Sequence, residues 1–503
     1  MCRLRCNLLA FVAISVASVA TLSAQGDSLA ETAVEGRGLV SPAVLSALRT
    51  TIAERYVTPI PAESLARFKT AEALLESLGD RHTVLFSAEA FRDFQVAAGQ
   101  HFGGIGARLG VRRDTVYLAS LLPNGPAAKA GLVAFDRLVS VNGSSLVGLP
   151  ADSAVQLIRG PNGSTAKLTV VTAGHKRVVS LVRDAVAVPS VGGVALLDDK
   201  IGVVRLRQFG EGATGEVVNA IDALVSSGAR GIVLDLRGNP GGLLQEGLSI
   251  AQLFLPSGSG LVEVRPRSGL PAQRARAEAP PRYPNLPLAV LIDGLSASAS
   301  EILAGALQDA HRAVVLGRQS YGKGSVQETV PLPEGWVVKL TVARWYTPSG
   351  RGIDRGPQPA DALIDPDVRH PGGIAPDTPL APDTTVAPPR QAIATLKKST
   401  WARVSDRLAD WTEAHRADST AAPTRETADT LLSGLALPAS IEPALADWLG
   451  RALTQELLTA RYGDTAGEAW SLTHDAEVEA ARAWLERRLA AQKKEDPETS
   501  LPG

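Results

Sequence analysis

The stretch from residue 291 to residue 327 reads LIDGLSASASEILAGALQDAHRAVVLGRQSYGKGSVQ. It begins within an apolar run, residues 288–292, which predicts a buried strand. Small residues follow, and apolar residues at helical spacing then predict a helix that ends near His311. A second apolar run, residues 313–317, predicts another strand, and Lys323 follows it between two glycines. This alternation of strand and helix predicts an α/β fold.

The serines of this stretch lie where the predicted strand turns into the predicted helix. Backbone N–H groups point outward at a helix N-terminus, and the helix dipole favours negative charge there. A serine in this position is a natural nucleophile, but it needs a base. Only one of the seven histidines, His311, occurs in the stretch. Lysine is an alternative base when burial lowers its pKa enough to leave it neutral, and Lys323 fits that role.

Three blocks of the stretch resemble the C-terminal processing peptidases, a family of serine peptidases with a Ser/Lys dyad. The blocks are Ser296-Ala-Ser-Ala-Ser-Glu-Ile302, AGALQD at residues 304–309, and Tyr321-Gly-Lys-Gly-Ser-Val-Gln327, in which tyrosine replaces the family's usual phenylalanine. The resemblance implies that Ser298 is the nucleophile, that Lys323 is its base and that Gln327 helps hold the lysine. Ser296 and Ser300 stay alternatives for the nucleophile, although we expect them to cap the helix.

A glycine-rich turn follows another predicted strand, residues 231–236. It reads Asp235-Leu-Arg-Gly-Asn-Pro-Gly-Gly242 and resembles the family's D-L-R-x-N-P-G-G element. In the family, one glycine N–H of this element forms half of the oxyanion hole, which implies Gly242 here, with Gly241 as the alternative. The N–H of Ala299 would form the other half. Glycine is needed because the backbone must approach the scissile carbonyl closely.

Residues 98–187 resemble a PDZ domain. Phe102, Gly103, Gly104, Ile105 and Gly106 match the glycine-rich loop and first strand, where N–H groups capture a peptide's terminal carboxylate and the peptide adds to the sheet edge. A helix predicted at residues 151–158 forms the other wall of the groove. Phe135 stands where the family commonly has glycine, just before a predicted hairpin.

The first 24 residues have the features of a secretory signal peptide. Arg3 and Arg5 precede an apolar run at residues 8–22, and the small residue Ala24 marks the predicted cleavage point. The run is short for a membrane span of about 20 residues. We therefore expect cleavage, no integral membrane span afterwards, and a periplasmic or otherwise extracytoplasmic location. An uncleaved signal would leave the protein associated with the inner membrane.

Composition argues against several other classes of function. Signal cleavage would remove two of the 51 basic residues and none of the 52 acidic ones, which leaves a charge near −3 and no electrostatic case for nucleic-acid binding. Both cysteines, Cys2 and Cys6, precede the apolar run, so the mature chain would form no disulfide. No H-E-x-x-H or paired-cysteine pattern occurs, and we expect neither a metal nor another cofactor.

The whole sequence predicts an α/β protein. The resemblance implies a crotonase-like α/β peptidase core with an inserted PDZ-like domain, an N-terminal helical segment and a C-terminal helical extension. The predicted divisions are a signal peptide (1–24), an N-terminal linker and helical segment (25–97), the PDZ-like domain (98–187), the Ser/Lys peptidase core (188–378), a Pro/Thr linker (379–395), the extension (396–492) and a charged, disordered tail (493–503). Five apolar runs, at 200–206, 231–236, 288–292, 313–317 and 337–345, predict the strands of the core. The extension carries no recognised motif, and homo-oligomerisation and adaptor binding are its candidate roles.

The resemblance implies an exported serine endopeptidase that cleaves polypeptides near free C-termini recognised by the PDZ-like domain, through an acyl-enzyme intermediate. Two other functions stay open. One is a binding or scaffolding protein that acts through the PDZ-like domain, and the presence of both Ser298 and Lys323 argues against it. The other is an acyl-CoA enzyme on a crotonase-like core, and the PDZ-like insertion and the serine–lysine spacing argue against it.

Overall fold

The computed structural model describes residues 40–80, 82–98, 101–112, 114–172, 174–187, 189–355, 372–381, 403, 406–408, 410–412, 414–415, 423–433 and 443–495. Within these ranges, no helix is both long enough and apolar enough to cross a membrane. The predicted signal peptide, most of the Pro/Thr linker and the tail beyond residue 495 lie outside the described residues.

The elements follow in chain order. The N-terminal segment contains α1 (Pro42–Arg55), α2 (Ala62–Ala66), α3 (Ala71–Glu76), β1 (Val84–Phe86) and α4 (Ala88–Ala98). The PDZ-like domain contains β2 (His101–Gly104), β3 (Ala107–Arg112), β4 (Thr115–Leu121), α5 (Pro126–Lys129), β5 (Arg137–Val141), β6 (Ser144–Ser145), α6 (Ala151–Ile158), β7 (Thr165–Thr172), β8 (His175–Val182) and β9 (Asp184–Ala187). The core contains β10 (Val191–Leu196), β11 (Ile201–Leu206), α7 (Ala213–Ser226), β12 (Gly231–Asp235), α8 (Leu244–Gln252), β13 (Gly260–Pro266), β14 (Gln273–Arg276), β15 (Leu288–Ile292), α9 (Ala299–Asp309), β16 (Val314–Gly317), β17 (Ser325–Pro331), β18 (Val337–Tyr346) and β19 (Thr378–Pro379). The extension contains α10 (Arg425–Ser433), α11 (Pro443–Tyr462), α12 (Asp464–Leu472) and α13 (Ala476–Glu495).

The PDZ-like domain is an antiparallel sheet in the order β3-β4-β5-β7-β8, with β6 paired to β5. β2 and β9 pair with each other where the chain enters and leaves the domain. The predicted helix at residues 151–158 is present with those bounds as α6, and it packs beside β3, which is an edge strand. β8 was not predicted: it begins with three polar residues, 175–177, and most of its positions are exposed.

The core is built on a six-stranded sheet in the order β10-β11-β12-β15-β16-β19. β10 runs antiparallel to β11, and the other neighbouring pairs are parallel. Residues alternate between the two faces, so Leu288 and Val290 enter one apolar cluster while Ala289 and Leu291 enter another. Both faces are buried, which explains why these strands are apolar throughout. Four of the five predicted core strands lie in this sheet.

The helices that cover the two faces come from different parts of the chain. α7, α8 and α9, which alternate with the strands, cover the first face. The second face is covered by α13 of the extension, where Val478, Ala481 and Leu485 pack against strand residues that include Val203 and Leu291. One helix of the extension therefore forms a layer of the core.

The fifth predicted strand, β18, forms but does not join the six-stranded sheet. It is the centre of a second, antiparallel sheet, where it pairs with β1, β13 and β17. The N-terminal helix α1 packs on this sheet through Val44, Leu48 and Ile52. An apolar run indicates that a strand is buried, but it does not identify the strands that pair with it.

The extension also contacts the PDZ-like domain. Arg108 of β3 pairs with Glu456 of α11 at 3.4 Å and with Asp464 of α12 at 3.7 Å. Phe135 has a left-handed conformation, with φ 65°, and its ring stacks on Tyr117 with centroids 5.4 Å apart. The Phe135 side chain also packs against the apolar cluster of α10 and α11. Phe135 thus keeps the backbone conformation that glycine adopts readily, while its ring contacts the extension.

Candidate active site

The serine turn, residues 293–298, connects β15 to α9. The chain turns at Asp293, whose Oδ1 accepts hydrogen bonds from the N–H groups of Leu295 at 3.0 Å and Ser296 at 3.2 Å. Ser298 is the N-cap residue of α9, with φ 56° and ψ −115°, which is rare for a residue with a side chain. Such strain persists only where surrounding contacts hold it, and it clusters at active sites.

The other two serines of the motif are fully buried and have structural partners. The hydroxyl of Ser296 donates to the carbonyl of Leu236 at 2.8 Å, and the hydroxyl of Ser300 donates to the carbonyl of Asn239 at 3.0 Å. They therefore join the serine turn and the first turn of α9 to the glycine turn, residues 236–242. The expectation that they cap α9 is wrong, because the N-cap residue is Ser298. Ser298 is the partly exposed serine of the three.

Lys323 lies in the lysine loop, residues 320–324, which joins β16 of the core sheet to β17 of the second sheet. The loop contacts the serine turn through the N–H of Tyr321, which donates to the carbonyl of Ser296 at 2.9 Å. Burial lowers the pKa of Lys323 from its ordinary value of 10.5, although the negative charge of Glu301 opposes this shift. The amine of Lys323 is therefore easier to deprotonate than that of an exposed lysine.

Glu301 connects the serine turn to the lysine loop. Its Oε2 accepts hydrogen bonds from the N–H groups of Ser298 at 2.8 Å and Lys323 at 2.9 Å. Its Oε1 accepts from the N–H of Gly322 and the hydroxyl of Ser320, both at 2.6 Å. Burial raises the pKa of Glu301, and these hydrogen bonds oppose the rise. The backbone nitrogens of Ser298 and Lys323 are both within hydrogen-bonding distance of the same oxygen, Oε2 of Glu301. The structure therefore brings the two residues together.

The sequence interpretation gave Glu301 no role, although a signal was present. A serine followed three positions later by glutamate at a helix start is the capping-box pattern, in which the glutamate accepts from the N-cap N–H. Ser298 and Glu301 have this arrangement. The pattern is local, however, and does not reveal the hydrogen bonds of Glu301 to the lysine loop.

Gly241 and Gly242 of the glycine turn pass directly beside Ser298. A Cβ on Gly241 would lie 2.8 Å from the Cβ of Ser298, and a Cβ on Gly242 would lie 2.4 Å from the carbonyl oxygen of Phe209. Both glycines have positive φ, 100° and 145°. A side chain at either position would require the backbone to move.

The two glycines differ in what their N–H groups bind. The N–H of Gly241 donates to Oδ1 of Asn239 at 2.9 Å. In the described part of the chain, the N–H of Gly242 meets no acceptor, and neither does that of Ala299, the first residue of α9. Two unpaired donors therefore lie next to Ser298, and of the two glycine candidates Gly242 is the one that supplies a donor.

A buried ion-pair network lies under the glycine turn. Oδ2 of Asp235 accepts from Arg205 at 2.6 Å and from Arg237 at 2.8 Å. Burial alone would raise the pKa of Asp235, but the two guanidinium groups outweigh burial and hold this pKa well below its usual range. The sequence interpretation included Asp235 and Arg237 in a motif without assigning them a role.

Gln327 lies in β17, and its amide donates to the hydroxyls of Ser325 at 2.8 Å and Thr341 at 3.3 Å. Within the described residues, no hydrogen bond joins Gln327 to the amine of Lys323. Its observed contacts instead hold the start of β17, immediately after the lysine loop.

The five residues predicted to receive a peptide C-terminus divide between a strand and a turn. Phe102, Gly103 and Gly104 belong to β2 and pair with β9, whereas Ile105 and Gly106 form the turn into β3. The side chain of Phe102 lies outside the described part of the structure. Among the described residues, the N–H of Gly106 meets no acceptor.

The described part of the chain contains no group of three or more histidine, cysteine, aspartate or glutamate side chains that could hold a metal ion.

Similarity to known proteins identifies the family of this chain. A model of peptidase family S41 matches residues 200–369, and a model of the PDZ domain matches residues 94–172. The carboxy-terminal-processing protease of Bartonella bacilliformis is 37% identical over 59% of this chain and 69% of its own length. The chain belongs to the carboxy-terminal processing proteases of family S41. Members of this family are serine proteases, which favours proteolysis over a scaffolding role or acyl-CoA chemistry.

Two further proteins are similar over comparable shares of the chain. Carboxy-terminal processing protease CtpA of Bacillus subtilis is 34% identical over 56% of this chain and 60% of its own length, so the chain spans less than two thirds of that relative. The solved structure of the photosystem II D1 C-terminal processing protease matches 69% of this chain and 95% of its own, with 25% identity and a TM-score of 0.43.

Proposed function

We propose that this chain is an exported serine endopeptidase that cleaves polypeptides near their C-termini with a Ser298/Lys323 dyad. The observation that carries the proposal is the single oxygen of Glu301 that accepts hydrogen bonds from the N–H groups of both residues. Packing alone is a poor explanation for this carboxylate, because burying a charge costs more than burying an apolar side chain of similar size.

In the first step, Oγ of Ser298 attacks the scissile carbonyl carbon while the neutral amine of Lys323 takes the hydroxyl proton. The carbonyl oxygen becomes an oxyanion, to which the N–H groups of Gly242 and Ala299 donate. Removing one donor of this kind costs about 3–4 kcal/mol of transition-state stabilisation. Collapse of the intermediate expels the amine of the departing fragment, which takes the proton from Lys323 and leaves an ester on Ser298.

Water completes the cycle. Lys323, neutral again, takes a proton from the water molecule that attacks the ester and passes it to Oγ of Ser298 as the new C-terminal carboxyl group leaves and loses its own proton to solvent. We assign Gln327 an indirect part in this, since its amide binds Ser325, two residues after Lys323.

The PDZ-like domain is proposed to select polypeptides with free C-termini through residues 102–106. β3 is an edge strand and α6 lies beside it, so an extended peptide could pair with β3 and place alternate side chains against α6. The unpaired N–H of Gly106, next to β3, would donate to the terminal carboxylate.

Export to the periplasm or another extracytoplasmic space is proposed from the signal-like first 24 residues. Homo-oligomerisation or adaptor binding through the extension stays a prediction. The face of α13 that contains Val478, Ala481 and Leu485 is not available for it, because the core sheet covers that face.

The proposal is tested by incubating the pure protein with an unstructured polypeptide and, separately, with a fluorophosphonate probe. We expect cleavage, and labelling that mass spectrometry maps to Ser298, with both lost in Ser298→Ala. Ser226→Ala, at an exposed serine in the last turn of α7, is the matched control and should retain both. A folded protein that is neither labelled nor active would contradict the proposal. Peptide binding without cleavage would indicate a scaffold, and hydrolysis of an acyl-CoA thioester alone would indicate acyl-CoA chemistry.

A further inference from the structure

The last helix, α13, begins beside the two turns of the candidate active site. Its apolar face packs on the core sheet, and its first turn lies near the ends of β12 and β15, after which the glycine turn and the serine turn begin. Two acidic residues at this end of the helix, Asp475 and Glu477, are buried. Buried carboxylates require partners, and theirs are arginines of the core.

Arg237 of the glycine turn is the main partner. Its Nη1 and Nη2 donate to the two oxygens of Asp475 at 3.0 and 2.9 Å, and Nη1 also donates to Glu477 at 2.8 Å. Its Nε donates to Asp235 at 2.9 Å, so every nitrogen of the guanidinium has an acceptor. A bidentate arginine–carboxylate pair fixes orientation as well as distance. Asp475 therefore constrains the turn that carries Arg237.

A second connection leads to the serine turn. Glu477 forms an ion pair with Arg318, which lies 3.8 Å from Asp293. Oδ1 of Asp293 accepts from the N–H of Gly238 at 2.9 Å and from that of Ser296 at 3.2 Å. Asp293 is therefore one of the points at which the glycine turn and the serine turn meet.

Asn239, two residues after Arg237 in the chain, holds the segment that leads to the proposed oxyanion donor Gly242. The carbonyl of Asn239 accepts from the N–H of Ala297 at 3.0 Å, and Oδ1 of Asn239 accepts from the N–H of Gly241. Gly242 follows directly. A displacement of the Arg237 side chain would thus be transmitted through a short, hydrogen-bonded turn to the N–H of Gly242.

The charges of the network explain why the helix matters. Without Asp475 and Glu477, the nearly buried guanidinium of Arg237 would keep Asp235 as its carboxylate partner, which it shares with Arg205. An uncompensated buried positive charge is strongly unfavourable, so the glycine turn would move toward solvent.

We propose that Asp475 and Glu477 are positioning residues of the active site, which hold the glycine turn so that the N–H of Gly242 faces the oxyanion. This inference rests on the proposed peptidase function. It gives the C-terminal helix a part in the reaction in addition to covering the core sheet.

The test compares Asp475→Asn and Glu477→Gln with a matched control, Glu479→Gln. Glu479 is on the same helix, its side chain is 59% exposed, and it pairs with Arg482. Active sites are counted with the fluorophosphonate probe, and kcat is expressed per labelled site. For Asp475→Asn we expect kcat per site to fall about tenfold to a hundredfold, because small displacements of catalytic groups have effects of that size. We expect a smaller fall for Glu477→Gln and KM within about twofold of the wild type, because ground-state binding is unchanged.

Hydrogen–deuterium exchange gives a readout that does not depend on activity. Exchange in residues 236–243 should be faster in both variants and unchanged in Glu479→Gln. Unchanged kcat per site and unchanged exchange, with only a lower Tm or fewer labelled sites, would overturn the proposal, because that is what a purely structural role produces. If Asp475→Asn does not fold, the result for Glu477→Gln tests the proposal, because that variant keeps the bidentate pair between Arg237 and Asp475. A wild-type protein that does not cleave polypeptides would contradict the proposed function, while exchange would still test whether α13 holds the turn.

Discussion

The backbone N–H groups of Ser298 and Lys323 share one acceptor, Oε2 of Glu301, at 2.8 and 2.9 Å. The serine begins α9, whereas the lysine lies in the loop that leaves the core sheet for the second sheet. One buried carboxylate therefore fixes the relative position of two segments with different surroundings. The nucleophile, the base and the residue that aligns them can be tested separately.

The dyad requires both side chains. Ser298→Ala and Lys323→Ala should each reduce peptide cleavage by about a thousandfold or more, because residues that act as one unit lose nearly the whole effect when either is removed. Lys323→Arg should be equally inactive, since arginine stays protonated. The measurement is kcat/KM on an unstructured polypeptide, with Tm to confirm folding. Cleavage retained in either alanine variant would remove the assignment.

Glu301→Gln should change both kcat and the pH dependence of kcat/KM. An amide offers one acceptor oxygen in place of two, so kcat should fall about tenfold to a hundredfold as the turns lose alignment. The charge of Glu301 raises the pKa of Lys323. Its removal should therefore lower that pKa and move the acidic limb of kcat/KM to lower pH. Glu328→Gln, an exposed change on β17, is the control. A limb that moves to higher pH would contradict this role for Glu301.

Gly242→Ala should impair the oxyanion hole. The added Cβ would lie 2.4 Å from the carbonyl oxygen of Phe209, so the turn must shift. Loss of one oxyanion donor lowers kcat by about a hundredfold to a thousandfold. Gly215→Ala in α7 has nothing within 4 Å of its Cβ and should leave kcat unchanged. Equal kcat for the two variants would place the donor elsewhere.

The PDZ-like domain should make cleavage sensitive to the substrate's C-terminus. If the N–H of Gly106 donates to a terminal carboxylate, amidation of that terminus removes a charge-assisted hydrogen bond. The amidated peptide should therefore have a higher KM than the acid. Initial rates for the two forms of one peptide provide the measurement. Identical rates at all concentrations would indicate internal cleavage without recognition of the C-terminus.

Much of the core could be predicted because its signals are local. Leu288–Ile292 is apolar at every position since both faces of its strand are buried, and the strand has the predicted bounds. Ser298 and Lys323 could be proposed because their motifs are contiguous. The pattern at Ser298 and Glu301 predicts a capped helix, but it cannot reveal that the same carboxylate reaches Gly322 and Lys323.

The contribution of the extension could not be predicted for the same reason. The apolar face of α13 indicates that the helix needs a partner, and the apolar strands indicate that the core needs a second cover. The sequence of α13 does not show that its partner is the core sheet, and the strands do not show that their second cover is α13. The two segments are far apart in the chain. The pairing of Arg237 with Asp475 likewise leaves no mark in the sequence near either residue.

The most direct test of the Ser/Lys chemistry is kcat/KM as a function of pH, measured for the wild type and for two histidine variants. These are His82→Gln, two residues before β1, and His311→Gln, two residues after α9. Lys323 must be neutral to act as the base, and burial lowers its pKa from 10.5. Activity should therefore rise with pH through a single ionisation below 10.5, because the neutral fraction of Lys323 rises. The midpoint should be the same in both histidine variants. An acidic limb that disappears or moves in either variant would show that a histidine is the base and that the Ser298/Lys323 dyad is wrong.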